Sequence, residues 1–394
     1  MKLLYTLTTY PPAIGGAQLH QHLLAQRLQS HHEITVVSFW SQNRTDWLLG
    51  TTVRAHSCPY DYVIDHIPVY RMGFTWADKV QMLPWLPLYY PLMGVALPPI
   101  AQVVANQLNP FAKDADLIHN VRIGREGLTY ASWKTARQRD IPFVLTPVHH
   151  PRWVGWRYRA YNKLYRQADA VITLTLSEKR TLISLGVQED RIYVTGHAPI
   201  LAPEADGHRF RQQYGIEEPI VLFLGQFYNY KGYRQVLDAA PLVWQHYPDT
   251  HFFFIGPPVK QSEQFFAEDS DPRIHRLGAV TQMEKTDALA ACNLLCVPSM
   301  QESFGGVYTE AWSFSKPVVG GRIPAIADVV TEGQDGFLVN QQPEEIADRI
   351  CYLLTYPDKA AAMGQAGKAK VEAQFTWPKL AEKTIKIYQA VCSR

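Results

Sequence analysis

The sequence predicts an α/β protein with two lobes, each built on a doubly wound sheet. Short apolar runs alternate with helical segments along the chain, as expected for parallel strands joined by helical crossovers. The chain has 394 residues, more than one hydrophobic core normally holds. A polar linker from Leu201 to Gly215 interrupts the alternation. We therefore place the N-terminal lobe at residues 1–203 and the C-terminal lobe at 204–376.

The N-terminal lobe contains seven predicted strands, each a short apolar run. They are Leu3–Thr8, Ile34–Phe39, Val69–Met72, Leu117–His119, Phe143–Thr146, Ala170–Leu174 and Ile192–Thr195. A helix is predicted from Gly16 to Leu28, because its leucines fall on one stripe. This helix opens at the carboxyl end of the first strand, where such sheets bind ligands. Residues 377–394 form a final predicted helix.

Composition limits the class of protein. With 19% charged and 47% hydrophobic residues, the chain resembles an ordinary globular protein, and a net charge of +2 is too small to indicate a nucleic-acid partner. The chain has five cysteines, an odd number, and most of them lie in apolar segments. This pattern favours reduced thiols over disulfides. The first residues, Met1–Leu7, are typical of a strand rather than a signal peptide. The expected location is the cytoplasm.

Two glutamates form the most informative motif. Glu302 and Glu310 are separated by seven residues, and the small-residue turn Ser303–Gly306 follows the first. The apolar run Asn293–Ser299 precedes them as a predicted buried strand, and a helix is predicted from Val307 to Phe314. Glu310 would then lie in the first helical turn. Glycines at a helix start favour an anion, and a nearby acid can bind vicinal hydroxyls, so the motif indicates a nucleotide sugar. On spacing alone, an N-terminal charge and a solvated helix face explain it equally well.

This motif resembles the E-x7-E signature of retaining GT-B glycosyltransferases, specifically glycosyltransferase family 4. The resemblance extends over the C-terminal half of the chain and is looser in the N-terminal half, where it rests on Gly15–Ala17. The segments that carry it are Val221–Gln226 with Lys231–Gly232, Phe252–Gly256, Arg276–Gly278, Lys316–Val319 and Asp335–Val339. It implies the GT-B fold, two Rossmann-like lobes with a cleft between them, and a closing helix that packs back on the first lobe.

The resemblance also implies roles for residues. Glu310 would bind ribose hydroxyls, Glu302 would bind hydroxyls of the donor sugar, and Lys231 would stabilise the leaving diphosphate. With His119, which ends a strand facing the expected cleft, Glu302 and Lys231 make up the predicted catalytic set. The further donor contacts expected are Gly16, Gln226, Ser303, Phe304, Gly305, Gly306 and Val307. The donor would be a nucleoside diphosphate sugar, UDP-linked rather than GDP-linked, and no cofactor is expected.

One position departs from the family pattern. Family members usually have arginine where this chain has Gln226. Glutamine donates a hydrogen bond but carries no charge, so more of the electrostatic load falls on Lys231. No metal site is predicted, because Asp269-Ser270-Asp271 precedes a proline in a polar linker and is typical of a turn.

The predicted acceptor residues are His149, His150, Arg122 and Arg152. The histidines follow a strand, and the arginines lie near strand ends among aromatic residues. Arginine suits phosphate, so the acceptor is expected to be a sugar, lipid-linked or phosphorylated molecule. The same pattern also fits a solvated helix with core aromatics.

An aromatic stretch without charge lies between Lys79 and Lys113. Its prolines argue against a transmembrane helix, so we expect a buried loop followed by a core helix near Ile100–Leu108. The alternative is an exposed apolar patch from Gln81 to Met93, with Trp85 its most exposed residue, giving peripheral contact with the inner face of the membrane.

The sequence thus predicts a retaining hexosyltransferase that transfers a sugar to a hydroxyl acceptor in glycoconjugate or polysaccharide synthesis. Two alternatives remain: transfer to a small soluble acceptor such as a sugar phosphate, as in sucrose-phosphate synthesis, and a non-catalytic protein that binds nucleotide sugars.

Overall fold

The chain folds as two compact α/β units, which confirms the predicted fold class. The computed structural model describes residues 1–13, 15–42, 46–121, 127–150, 153, 155–267 and 271–393. One unit consists of Met1–Gly196 with Trp377–Arg394, and the other of His197–Thr376. The border therefore falls a few residues before the one predicted from the polar linker. The roles of the two lobes in acceptor and donor binding stay predictions.

Among its described residues the first unit has eight strands: β1 Lys2–Thr9, β2 Glu33–Trp40, β3 Tyr60–Ile64, β4 Ile67–Arg71, β5 Leu117–Val121, β6 Phe143–Thr146, β7 Ala170–Thr173 and β8 Ile192–Val194. Its helices before residue 197 are α1 Gly16–Leu28, α2 Trp47–Gly50, α3 Trp76–Met82, α4 Met93–Leu108, α5 Leu128–Arg139, α6 Arg159–Gln167 and α7 Leu176–Ser184.

The described part of the second unit has six strands: β9 Ile220–Leu224, β10 His251–Ile255, β11 Ile274–Gly278, β12 Leu294–Val297, β13 Val318–Gly321 and β14 Gly336–Val339. Its helices are α8 Gly207–Tyr214, α9 Tyr233–Trp244, α10 Lys260–Ala267, α11 Gln282–Ala291, α12 Gly306–Trp312, α13 Pro324–Ala327, α14 Pro343–Thr355 and α15 Pro357–Gln374. The closing helix α16, Trp377–Cys392, returns to the first unit.

The first sheet has the strand order β3-β4-β2-β1-β5-β6-β7-β8, and every pairing except that of β3 with β4 is parallel. Strand β3 was not predicted, because this edge strand is largely exposed and lacks the apolar run that marks the others. Asp65 and His66 connect it to β4 with positive φ angles of 49° and 65°. Such a two-residue hairpin turn normally contains glycine or asparagine, so the usual sequence signal was absent.

Helix α16 packs on α1 within the first unit. Its Tyr388 is fully buried, and the Tyr388 hydroxyl lies 3.0 Å from the Tyr5 hydroxyl on β1. The buried face of α1 is more polar than the leucine stripe predicts, because it includes His22. The His22 ring nitrogens lie 2.8 Å from the Tyr10 hydroxyl and 2.8 Å from an Asp65 carboxylate oxygen.

The second sheet has the order β11-β10-β9-β12-β13-β14 and is entirely parallel. The order reverses between β9 and β12, so the loops after these two strands leave the sheet side by side. The crevice outside the carboxyl ends of strands at such a point is the usual ligand site of open α/β sheets. The loop after β9 contains Lys231 and the loop after β12 contains Glu302.

The uncharged stretch is largely core along the predicted helix from Ile100 to Leu108, whereas Leu83 and Leu92 in the segment before it are 53% and 52% exposed, so the expected buried loop was only partly correct. Helix α4 is longer than predicted and runs through Pro98 and Pro99. Tyr89 is fully buried, and its hydroxyl lies 2.8 Å from that of Tyr161. Trp85 is half-buried against the core, so the expectation that it is the most exposed residue was wrong. No helix in the described ranges is both long and apolar enough to cross a membrane.

Candidate functional site

The loops after β9, β12 and β14 are tied together by hydrogen bonds to backbone carbonyls. Lys231 ends a short 3-10 turn, Asn229–Lys231, and Gly232 follows it with a φ of 82°. A β-carbon at Gly232 would lie 2.9 Å from the Pro298 carbonyl oxygen, so only glycine lets this turn approach the end of β12. The Gln341 amide, from the loop after β14, donates to the carbonyls of Tyr230 at 3.0 Å and Pro298 at 2.7 Å. The turn is therefore held in place by its neighbours.

This arrangement brings two of the predicted catalytic residues into contact. The Lys231 ammonium donates a hydrogen bond to the Glu302 carboxylate. The Lys231 and Glu302 side chains are 20% and 12% exposed, so the pair is accessible at one edge and screened elsewhere. Partial burial strengthens a charge–charge interaction relative to a surface pair.

The turn after Glu302 is shaped by its glycines. Gly305 has a φ of 80° and precedes α12, and a β-carbon there would lie 2.4 Å from the Tyr308 ring. The Tyr308 hydroxyl donates to the Val297 carbonyl at 2.7 Å, which fixes α12 against the end of β12. Gly306 lies beside His197, since a β-carbon on Gly306 would be 3.2 Å from the imidazole. The contact at Gly305 thus leaves no room for a β-carbon, whereas a β-carbon at Gly306 would require a small shift of the His197 imidazole.

Glu310 is the most buried acid of the motif, with 7% of its side chain exposed. Helix α12 begins at Gly306, so Glu310 lies in the second turn, and the expectation of a first-turn position was wrong because the helix starts one residue earlier than predicted. One carboxylate oxygen, Oε1, lies 2.9 Å from the Lys285 Nζ atom. The other, Oε2, has no hydrogen-bond partner within the described part of the chain. Burial raises the pKa of Glu310 above its usual range, and Lys285 offsets part of this rise.

Lys285 is a site residue that the sequence analysis missed. It lies on α11, and besides Glu310 it contacts the Ile200 carbonyl, to which it donates at 2.7 Å. Gln282 donates to the same carbonyl at 2.7 Å. Nothing in the local sequence distinguishes Lys285 from an ordinary helix lysine, so only the folded structure shows its role as the counter-ion of Glu310.

The remaining predicted donor residues differ in exposure. Ser303 and Val307 are half-buried beside the turn, whereas Phe304 is 3% exposed, stacks on His197 and meets the edge of Phe375. Burial lowers the pKa of His197 to about 4, so this imidazole is neutral near pH 7. Gln226 is exposed, two residues beyond the end of β9. Phe304 therefore acts chiefly as a packing residue beneath the turn.

Gly16 and His119 belong to the first unit. Gly16 begins α1, and no atom of the described residues lies within 4 Å of a β-carbon built on it. His119 is 1% exposed, and its ring nitrogens lie 2.6 Å from the Tyr388 hydroxyl and 2.8 Å from the Thr146 hydroxyl. Burial lowers its pKa to about 3. Because both nitrogens are engaged inside the unit, this arrangement does not favour the catalytic role predicted for His119.

Two of the four predicted acceptor residues can be placed. His149 is buried and its Nδ1 lies 3.1 Å from the Tyr165 hydroxyl; burial lowers its pKa to about 4. His150 is half-buried and meets the edge of Trp153. Arg122 and Arg152 lie outside the described residues. Their roles in acceptor binding stay predictions.

No group of three or more His, Cys, Asp or Glu side chains within the described ranges is arranged to hold a metal ion. Of the predicted turn at 269–271, only Asp271 is described. Its carboxylate binds the Arg273 guanidinium at 2.6 Å, and this hydrogen bond lowers the pKa of Asp271 to about 2. Metal independence itself stays a prediction.

Comparison with known proteins gives two family matches. Residues 206–370 match the model of glycosyl transferases group 1, and residues 15–196 match that of the glycosyl transferase 4-like domain. An uncharacterized glycosyltransferase of Methanocaldococcus jannaschii is 29% identical over 171 residues, which cover 43% of this chain and 47% of that protein. The chain thus spans about half the length of the first curated relatives it matches.

Two further matches extend over the whole chain. A GDP-mannose-dependent monoacylated alpha-(1-6)-phosphatidylinositol monomannoside mannosyltransferase of Corynebacterium glutamicum is 25% identical, covering 99% of this chain and 98% of that protein. The crystal structure of Anabaena HepE in complex with UDP matches with a TM-score of 0.76 and 20% identity, covering 99% of this chain and all of that one. The two family models together match most of the residues, and the fold agrees with them, so the chain belongs to the GT-B glycosyltransferases of the family 4 type.

Proposed function

We propose that the protein is a retaining hexosyltransferase that moves a hexosyl group from a nucleoside diphosphate sugar to a hydroxyl acceptor. The observation that carries this proposal is the side-by-side arrangement of the Lys231–Glu302 pair after β9 and β12. A cation and a hydroxyl-binding carboxylate at the reversal point of the sheet fit the diphosphate and the sugar of one donor molecule. Glu310 lies on the following helix with one carboxylate oxygen left to accept a hydrogen bond.

Each site residue then has a task. The Lys231 ammonium stabilises the diphosphate as negative charge grows on it, and Gln226 adds a neutral hydrogen bond. Glu302 accepts hydrogen bonds from hydroxyls of the donor sugar, and Glu310 Oε2 accepts one from the ribose. The amides of Gly305, Gly306 and Val307 donate to phosphate or sugar oxygens. Gly16 stays a predicted donor contact.

The reaction we propose is a front-face displacement. The acceptor hydroxyl bonds to the anomeric carbon on the side from which the phosphate leaves, the bond from that carbon to the phosphate oxygen breaks, and the hydroxyl proton passes to the departing phosphate. The configuration at the anomeric carbon is therefore retained. The protein contributes orientation and charge stabilisation and forms no covalent intermediate. A carboxylate nucleophile is not needed, since Glu302 and Glu310 are both used in binding.

The substrates are narrower proposals. We take the donor to be a UDP-sugar, and the acceptor to be a sugar, lipid-linked or phosphorylated molecule bound by His149, His150, Arg122 and Arg152. The whole-length likeness to a mannosyltransferase that acts on a phosphatidylinositol lipid supports a lipid-linked acceptor and the use of GDP-mannose as a comparison donor. The product would serve glycoconjugate or polysaccharide synthesis, with the enzyme in peripheral contact with the inner face of the membrane.

A donor panel tests the proposal. Purified protein is incubated with UDP- and GDP-linked hexoses, with a lipid-linked acceptor, a sugar phosphate or none, and nucleoside diphosphate release is measured. The function is supported if nucleoside diphosphate is released from one donor only when an acceptor is present. The anomeric proton coupling of the product should also show the same configuration as in the donor. Release only with the sugar phosphate would identify the soluble-acceptor alternative. Donor binding without release for any acceptor would identify a non-catalytic protein, and an inverted product would refute the front-face reaction.

A further inference from the structure

A cavity of about 420 Å³ lies in the first unit between the start of α4 and helix α6. Its floor is apolar, with the buried Met93 and Leu97 among the lining residues. Its rim carries Leu92, Val95 and Trp156, whose exposed fractions are 52%, 56% and 50%. Three large apolar side chains that project around one cavity form a patch of the kind that marks a binding surface rather than scattered exposed residues.

The same rim carries positive charge. Arg159 and Lys163 are four residues apart on α6, line the cavity and are exposed. Within the described residues neither forms an ion pair, and the described residues that line the cavity include no acid. Helices α4 and α6 contain no Asp or Glu at all. The surface therefore combines apolar side chains with unneutralised cations.

We propose that this rim and cavity dock the protein on a bilayer that contains anionic phospholipids. Leu92, Val95 and Trp156 enter the boundary between headgroups and acyl chains, where tryptophan is favoured, and Arg159 and Lys163 meet lipid phosphates. A second copy of the chain fits less well, because a self-complementary contact would bring the cations of both copies together. A neutral apolar ligand would fill the floor but would leave the cations unused.

This inference rests on the membrane contact in the proposed function and is independent of the transfer reaction. It overlaps the patch expected from sequence at Leu92 and Met93 but excludes Trp85 and Tyr89, both of which pack against the core. The docking residues come from two segments far apart in sequence, the start of α4 and the turn before α6, so only the fold brings them together.

Flotation of the full chain with vesicles tests the proposal. Vesicles of phosphatidylcholine alone are compared with phosphatidylcholine containing phosphatidylglycerol. We expect binding to the anionic vesicles only, weakened by salt. Arg159→Gln with Lys163→Gln should lower the partition coefficient by about 30-fold, because each cation near the surface contributes about fivefold. Leu92→Ser with Val95→Ser and Trp156→Ser should reduce binding to background.

Matched controls remove similar groups elsewhere. Arg27→Gln with Lys113→Gln removes two exposed cations of the same unit, and Tyr356→Ser removes an exposed aromatic ring of the other unit; both should bind as wild type does. Nucleotide binding is measured on every preparation, so loss of vesicle binding with intact nucleotide binding separates this proposal from the proposed function. The charge variant changes only exposed side chains, so it remains informative if the apolar variant melts early.

Three results would overturn the proposal. The first is binding to neutral vesicles as strong as binding to anionic ones, and the second is vesicle binding that survives both sets of substitutions. The third is a dimer in solution that dissociates when the apolar substitutions are made, because this would assign the surface to a second copy of the chain. Absence of vesicle binding by the wild type at low salt would refute it as well.

Discussion

Replacing Lys285 with methionine would remove the positive charge beside Glu310 while keeping most of the side chain's apolar length. In the wild type the Lys285 Nζ atom lies 2.9 Å from Glu310 Oε1, and the two side chains are 16% and 7% exposed. Removing one partner of a buried ion pair leaves an uncompensated charge and typically costs about 3–5 kcal/mol. Because Lys285 retains some contact with solvent, we expect a loss near the lower end, about 3 kcal/mol, in the free energy of unfolding at pH 8.

The loss should depend on pH in a defined direction. Burial already raises the pKa of Glu310, and without Lys285 it should rise further. A carboxyl whose pKa is raised in the folded state binds its proton more tightly there than in the unfolded chain. Stability from this group is therefore present below the unfolded pKa of about 4.3 and is lost as pH rises through the folded pKa. The difference between wild type and Lys285→Met should be small near pH 4.5 and largest at pH 8.

Urea unfolding followed by circular dichroism measures this difference at several pH values. The double variant Lys285→Met with Glu310→Gln should recover most of the lost stability, since it leaves no buried charge. As a control, Lys386→Met breaks the exposed pair with Glu382 on α16 and should cause no measurable change. A loss for Lys285→Met that is the same at pH 4.5 and pH 8, or that the double variant does not recover, would refute the assignment of Lys285 as the counter-ion of Glu310.

Three further predictions concern the donor, metal and core. Glu310→Ala should weaken nucleotide binding by about 1.5–3 kcal/mol, the range for hydrogen bonds to a charged group. Titration calorimetry with UDP and with GDP measures this change, and equal affinity in variant and wild type would contradict the ribose contact. Turnover should survive excess EDTA, because the proposed neutralisation of the diphosphate uses Lys231, backbone amides and a helix dipole. A complete loss of turnover that magnesium or manganese restores would show a metal requirement. Trp85→Ser with Tyr89→Ser should lower the free energy of unfolding by roughly 3–5 kcal/mol, because Tyr89 is fully buried. An unchanged melting temperature would show instead that both side chains are exposed.

The sheet cores could be predicted because their strands are continuous apolar runs. Strands such as β6, β7 and β12 are buried along their whole length, and burial on both faces requires that composition. Helix α4 was harder, since Pro98 and Pro99 suggested a break, yet the helix continues through both. Proline costs stability inside a helix, but packing of an apolar face against the core can outweigh a local preference.

The candidate site was predictable only in part, for a related reason. Lys231 and Glu302 follow adjacent strands, and the positions of their loops at the strand ends could be inferred from the strand–helix alternation. His119 also ends a strand, but whether a strand-end histidine faces a ligand depends on what covers it, and here that is Tyr388, 269 residues further along the chain. Contacts between residues so distant in sequence leave no local pattern.

Lys285 shows why a motif of two glutamates gives an incomplete account of this site. A carboxyl group accepts strong, charge-assisted hydrogen bonds only when it is ionised, and burial of Glu310 opposes this. The chain meets the requirement with a cation from a different helix, one that holds Oε1 and leaves Oε2 available. The ribose contact proposed for Glu310 would therefore depend on the packing of α11 against α12, and a change that shifts α11 should weaken nucleotide binding without altering either glutamate of the motif.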